Sequence, residues 1–162
     1  MTADESLEDL LAQERELQFE RFDNDTALAL GEALVAAARE DGLIVTVDVR
    51  RGEQQLYHAA LAGTAADNDA WIERKNRVVR RFGHSSFYVG IMLERQGTTI
   101  EEKFLLDRTL FAAKGGAFPV VVRDVGMVGT VTVSGLPQAE DHRLVVGVLR
   151  RFLGLHGASG PG

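Results

Sequence analysis

The chain of 162 residues contains no cysteine. That excludes a disulfide framework, a thiolate metal site and a cysteine nucleophile. Proline is scarce, at three residues, and there is one tryptophan. No apolar run approaches the roughly 18 residues of a membrane span, and no basic-then-apolar leader opens the chain. The expectation is a cytoplasmic protein that makes no use of a membrane. Repeats and low-complexity stretches are also missing. Only 155–162, with its glycines, Ser159 and Pro161, reads as a flexible tail.

What is present is ordinary for one globular domain. Hydrophobic residues make up 45% and charged residues 26%, enough to bury a single core. The net charge of −6 is unevenly placed, because the first 25 residues hold nine acids and only two arginines. An acidic leader argues against nucleic acid as a partner. The expected division is an acidic N-terminal helix over 1–24, a domain over 25–154, and the tail.

Periodicity supplies the elements. Residues 5–21 are amphipathic at helical spacing, and a capped, alanine-rich helix follows to Asp41, stopped by Gly42. Alternation then switches to period two over 43–49. A tight connection at Arg50-Arg51-Gly52-Glu53 leads to a second strand over 54–60. Asp67-Asn68-Asp69 offers caps before a helix over 70–82. Short helices follow over 87–96 and 100–107, the latter with capping-box spacing from Thr98 or Thr99. The last third reads as a hairpin, 118–123 and 127–134, with Pro119 near the start of its strand or on an edge. A helix over 138–153 ends the domain. Two hairpins among helices favour an α/β (α+β) fold with an antiparallel sheet over a doubly wound parallel one.

Two polar residues fall in apolar stripes. At about 100° per residue, Lys75 lies in the middle of the stripe made by Trp71, Ile72, Val78, Val79 and Phe82. Arg74, Arg77, Arg80 and Arg81 lie on the opposite face, as expected of a solvated surface. A lysine turned inward either snorkels to a carboxylate or lines a pocket and meets an anionic ligand or moves a proton. Asp141 heads the apolar stripe of the last helix, above Val145, Val148 and Phe152. It can serve as a cap that complements the helix dipole or as a partner for Lys75.

Lys114-Gly115-Gly116 has neither P-loop nor dinucleotide spacing, yet two glycines allow close backbone approach to a ligand. Ser134-Gly135 ahead of a helix can do the same. His58, His84, His142 and His156 have no helical metal-site spacing. His84, at an inter-helix turn, and His142, beside Asp141, are candidate single ligands to a haem iron. No serine sits in a nucleophile motif.

These residues, in order, resemble a known family. The 43–49 strand, the helix carrying Trp71 and Lys75, and the Gly83-His84-Ser85 turn come first. Gly116-Ala117-Phe118-Pro119, Val128 through Gly135 and Asp141-His142-Arg143-Leu144-Val145 follow. Together they are similar to the GlcG/HbpS-type haem-degrading domain family, over about 25–153, and to a mostly uncharacterised branch of it. The resemblance implies a profilin-like fold, an antiparallel sheet flanked by helices. It also implies homo-oligomeric rings or shells, and binding or breakdown of haem. The positions it carries over are Lys75, Gly116, Pro119, Gly135 and Asp141.

The leading expectation is an oligomeric small-molecule-binding domain, with haem or a related tetrapyrrole as ligand. Its ligand residues would be Lys75, His84, Lys114, Gly115, Gly116, Pro119, Ser134, Gly135, Asp141 and His142. The alternatives are a non-catalytic scaffold and an acid–base enzyme acting on a small anionic metabolite through Lys75 and Asp141.

Overall fold

A computed structural model describes residues 5–155. The elements are α1 (Leu7–Glu16), α2 (Asn24–Glu40), β1 (Thr46–Arg51), β2 (Gln54–Ala60), α3 (Ala66–Phe82), α4 (Ser86–Arg95), α5 (Ile100–Phe104), β3 (Ala117–Val122), β4 (Gly126–Ser134) and α6 (Gln138–Phe152). The strands form one antiparallel sheet in the order β2-β1-β4-β3. This is the expected α/β architecture, a sheet flanked by helices. Almost all of the expected tail lies outside the described residues, as does His156.

The two faces of the sheet differ in chemistry. Val47, Val49, Val131 and Val133 point to one side and pack with Leu30 and Leu34 of α2 and Val145 and Leu149 of α6. This is the apolar core, driven by burial of aliphatic surface. The alternate residues Thr46, Asp48, Arg50, Thr130, Thr132 and Ser134 point to the other side and are buried too. Helix α3 covers that side, and beyond it Val78, Val89, Leu93 and Ile100 form a smaller apolar cluster with α4 and α5.

Burying a polar sheet face is costly unless its groups are satisfied, and on this face the Thr46 and Thr130 hydroxyls are the ones without a partner among the described residues. Asp48, fully buried on β1, sits opposite His58 on β2 and Thr132 on β4. Its carboxylate accepts from Arg50 Nε (2.8 Å), Gln55 Nε2 (2.8 Å) and Asn76 Nδ2 (3.4 Å), and meets His58 Nδ1 at 2.9 Å. Arg50 reaches on to Glu73 at 2.7 Å, and His58 Nε2 lies 2.9 Å from Asp69. Thr132 donates to Asn76. Helix α3 is thus bonded to the sheet by side chains rather than greased onto it.

Several boundaries differ from expectation, each for a local reason. α1 stops at Glu16. Phe19 then makes a single parallel bridge with Val122, donating to Val121 O and accepting from Arg123, which covers part of the β3 edge. β1 starts at Thr46, because Leu43 first closes the end of α2 by donating to Ala38 O. Arg50 and Arg51 belong to the strand, and the hairpin turn is Gly52-Glu53 alone. α3 begins at Ala66, so Asp67-Asn68-Asp69 lies inside its first turn; Asn68 Oδ1 caps from there by accepting from Ala65 N. Pro119 lies on the edge strand β3, opposite Thr130.

The acidic leader belongs to the same body as the rest. Leu10, Leu17 and Phe19 are buried. Glu14 binds His84 and the backbone of Ser85, and Glu16 pairs with Arg150.

Asp48→Ala removes the buried carboxylate shared by Arg50, Gln55, His58 and Asn76, and leaves Arg50 with Glu73 and His58 with Asp69 at the edge of the layer. It is expected to lower unfolding free energy by about 3–5 kcal/mol, measured from urea midpoints at unchanged m value. A loss below about 1 kcal/mol would mean that this layer is effectively solvated.

Candidate functional site

The first turn of α3, the end of β4 and the start of α6 converge where the inward lysine of α3 meets the first turn of α6. Lys75 is 3% exposed and Asp141 2%. Lys75 Nζ donates to Asp141 Oδ2 (3.2 Å) and to Val133 O (3.1 Å). The remaining valences of Asp141 accept from Gly135 N (3.3 Å) and Leu136 N (2.9 Å). The acid is therefore both the partner of Lys75 and the anchor of the Gly135-Leu136 turn.

Two glycines make room for this. Gly116 has φ +135°, and a Cβ there would overlap Val133 O and come within 2.6 Å of Lys75 Nζ. Gly135 has φ +152°, and its Cβ would run into Ile44 O. Neither position tolerates a side chain. Gly115 N donates to Gln138 Oε1 at 2.9 Å, tying the two-glycine loop to α6.

Burial pulls the Lys75 amine below the ordinary lysine value, with the charge and hydrogen bond of Asp141 working against that shift. Burial likewise pushes the Asp141 carboxyl up, opposed by Lys75 and the two backbone donors. At both ends burial favours the neutral form, and the opposite charge of the partner works against it.

Above the pair opens a cavity of about 340 Å³, lined by Trp71, Lys75, Lys114, Ser134, Gln138 and Asp141, with Asp67, Asn68, Gly135 and Leu136 completing the wall. Asn68 Nδ2 donates to Ser134 Oγ, fastening α3 to β4 at the rim. The walls hold unspent donors. Lys75 has three N–H groups and uses two. Among the described residues, no acceptor takes the Ser134 hydroxyl proton or the Gln138 amide protons, and no carboxylate pairs with the exposed Lys114. A donor-rich cavity with one aromatic wall suits a ligand that carries oxyanion acceptors.

Of the residues singled out from sequence, Lys75, Lys114, Ser134, Gly135 and Asp141 line this cavity, and Gly115 and Gly116 back it. Pro119 lies along β3 and does not line it. His84 lies just ahead of Ser85, the N-cap of α4, with Nδ1 2.7 Å from Glu14 Oε1. His142 points away from the cavity, toward α1, near Phe87 and Phe118, with Nε2 2.8 Å from Gln13 Oε1. Asn68 and Gln138 were legible only as helix-start residues, and Trp71 as part of an apolar stripe and of the family resemblance, not as a cavity wall. The arginines expected to be plain surface staple a segment instead. Arg74 donates to Arg108 O and Arg77 to Leu110 O, and Arg74 stacks 4.5 Å over the Trp71 ring.

Fold and cavity together place the chain among small α/β domains that carry a pocket between one helical layer and an antiparallel sheet. Residues 22–150 match the model of the haem degrading protein HbpS-like family, and the chain belongs to that family. It is 58% identical over 146 residues to a UPF0303 protein of Streptomyces coelicolor, covering 90% of this chain and 92% of that one. It is 46% identical over 154 residues to a UPF0303 protein of Rhizobium meliloti, covering 95% and 94%. Among solved structures, Ybr137w protein superposes with a TM-score of 0.86 at 34% identity, covering 93% of this chain and 88% of that one. HbpS superposes at 0.65 and 20% identity, covering 85% and 93%. A PduOC–haem complex does so at 0.65 and 14%, covering 79% and 92%. These last two likenesses concern the fold.

Haem can be tested against the residues present. No cavity-lining residue offers an imidazole or thioether to iron, so the cavity does not fit a haem iron, although its lysines suit carboxylates. Among the described histidines, His58 engages both ring nitrogens and His142 is enclosed. His84 differs: Nδ1 is anchored on a carboxylate, Nε2 has no protein partner among the described residues, and the side chain is 39% exposed. That is the arrangement by which a protein orients a metal-ligating histidine.

His142 yields a pH prediction. Gln13 Nε2 donates to Glu5, so its Oε1 faces His142 and Nε2 carries the proton; Nδ1 is buried without a partner. Burial, helped by Arg143, lowers the imidazole pKa from 6.5 to about 3. The unfolded chain therefore takes up a proton below 6.5 that the folded chain refuses until about 3. This contribution to stability is complete above 6.5 and is lost as pH falls toward 3. Between pH 7 and 5 the loss is about 2 kcal/mol. His142→Phe, measured by chemical denaturation at both pH values, is expected to show a correspondingly smaller loss. An equal loss in both proteins would contradict the neutral buried imidazole.

Proposed function

We propose that the protein is a small-molecule-binding domain that takes an anionic ligand in the cavity floored by Lys75 and Asp141, and that several copies assemble. The observation that carries this reading is the convergence of unspent donors from Lys75, Lys114, Ser134 and Gln138 on one cavity whose buried acid, Asp141, already accepts from Lys75 and two backbone amides, with the exposed Asp67 as the other acid of the wall. Asp141 neutralises the floor and holds the turn, while Lys114 at the rim supplies the cation that a ligand would meet. Assembly is what membership of the HbpS-like family suggests.

Calorimetric titration with small carboxylates tests the cavity. Binding is expected, and Lys114→Gln, an exposed change that leaves the fold intact, is expected to weaken it about tenfold by removing a charge-assisted contact. Unchanged affinity in that variant would move the ligand elsewhere.

A second reading concerns haem and rests on His84. Together with the family match, its carboxylate-anchored ring and free Nε2 support an iron ligand on the surface beside α1. Haem would supply its own iron chemistry there, while Glu14 would orient the ring. Hemin titrated into the protein is expected to give a sharpened Soret band that weakens in His84→Ala and persists in His142→Phe. The same band in His84→Ala as in the parent protein would remove this reading.

A further inference from the structure

The floor of the cavity is electrically neutral, because the charges of Lys75 and Asp141 offset each other across 3.2 Å. A second negative charge gains little there. What the floor still offers is one N–H of Lys75, since Val133 O and Asp141 Oδ2 take the other two. That donor suits a neutral acceptor such as a carbonyl oxygen. The other cation of the wall is Lys114, exposed at the rim. Ser134 directly follows Val133, the residue that holds the amine, and Gln138 opens α6 one turn ahead of Asp141. Donors for a carboxylate therefore stand beside the donor for a carbonyl.

A carbonyl bound at an amine is also an electrophile bound at a nucleophile. Lysine forms a Schiff base where it is desolvated in a cavity and a neighbouring group handles its proton. Lys75 is 3% exposed, and a carboxylate rather than water accepts from it. Burial acts on both members in the direction such a capture needs, lowering the amine and raising the carboxyl.

We propose that the ligand is a small 2-oxo acid whose carbonyl carbon Lys75 captures as a reversible iminium, with the carboxylate held by Lys114, Ser134 and Gln138. This rests on the preceding reading of the cavity and names its ligand class. The ammonium of Lys75 passes one proton to Asp141 Oδ2. The nitrogen lone pair bonds to the carbonyl carbon as the C=O π pair moves onto oxygen, and that oxygen takes a second proton from the nitrogen, giving a neutral carbinolamine. Asp141 returns its proton to the new hydroxyl, the C–O bond breaks, water leaves, and the nitrogen lone pair closes the C=N bond. The product is an iminium cation beside the Asp141 carboxylate. The charges on the floor are the same before and after, so the surroundings that accommodate the ammonium accommodate the iminium, whose single N–H remains for Asp141.

The chain has three lysines, Lys75, Lys103 and Lys114, and each can be followed separately. The full-length protein is incubated with pyruvate and cyanoborohydride, which reduces an iminium to a stable carboxyethyl-lysine, and peptide mass mapping locates the label. The heat of binding of lactate, which keeps the carboxylate and lacks the carbonyl, is measured on the same protein. Lys75 is expected to label about tenfold faster than the exposed Lys103, because a held carboxylate raises the local concentration of carbonyl. Labelling of Lys75 should saturate with pyruvate and be slowed by lactate. Lys114→Gln should raise the pyruvate concentration for half-maximal labelling about tenfold. The labelling needs no variant of the buried pair, so a folding defect does not obscure it. Lactate binding without saturable label on Lys75, or label confined to Lys103 and Lys114, would overturn the iminium while leaving the anion cavity standing. No binding of lactate and no saturable label would overturn both.

Discussion

The ion pair between Lys75 and Asp141 is the constraint on which the site depends. Two opposite charges removed from water are costly, and their attraction compensates only when every remaining hydrogen-bonding valence is filled. Here Val133 O, Gly135 N and Leu136 N fill most of them, and one N–H of Lys75 is left toward the cavity. The pair therefore sets the distances among α3, β4, the Gly135 turn and α6. Gly116, with no side chain, lets β3 approach the amine from behind. Remove either charge and the other is left buried among groups arranged for its partner.

The two faces of the sheet divide the work. The α2–α6 face is aliphatic and supplies most of the burial that drives folding. The α3 face is polar and specifies how one helix lies on the strands, through Asp48, Arg50, Asn76 and Thr132. A helix held by directional bonds has little freedom to slide, and its first turn is then a reliable wall for a cavity. The same rigidity extends outward, because Arg74 and Arg77 fasten the segment around Arg108 and Leu110.

Much of this was legible in the sequence, and the reasons are local. Period-two runs and Gly-rich turns gave both hairpins, and β2 was placed at its observed limits. The inward direction of Lys75 followed from helical geometry alone, since four arginines and one lysine share a helix but not a face. Asp141 was visible as an acid heading an apolar stripe, yet helix periodicity says nothing about which helices meet, so the pair itself was not determined. His142 stands about 100° from Asp141 on the wheel, and that rotation carries it from the cavity to α1. The polar character of the α3 face was hidden for another reason. Thr, Asp and Arg alternating with valine do not say what covers their face, and only the long-range docking of α3 buries them. Likewise Phe19 looked like the end of a helix because the edge strand it bridges lies a hundred residues away.

The most direct test of the account is a double-mutant cycle on the central pair, measured by equilibrium unfolding of Lys75→Met, Asp141→Asn and the double variant. If the two charges are buried against one another, each single change costs about 3 kcal/mol or more, and the double variant is more stable than the sum of the single losses predicts by at least about 1 kcal/mol. Losses that add to within about 0.5 kcal/mol would mean that the lysine and the acid do not depend on each other, and the floor of the cavity would not be the one described.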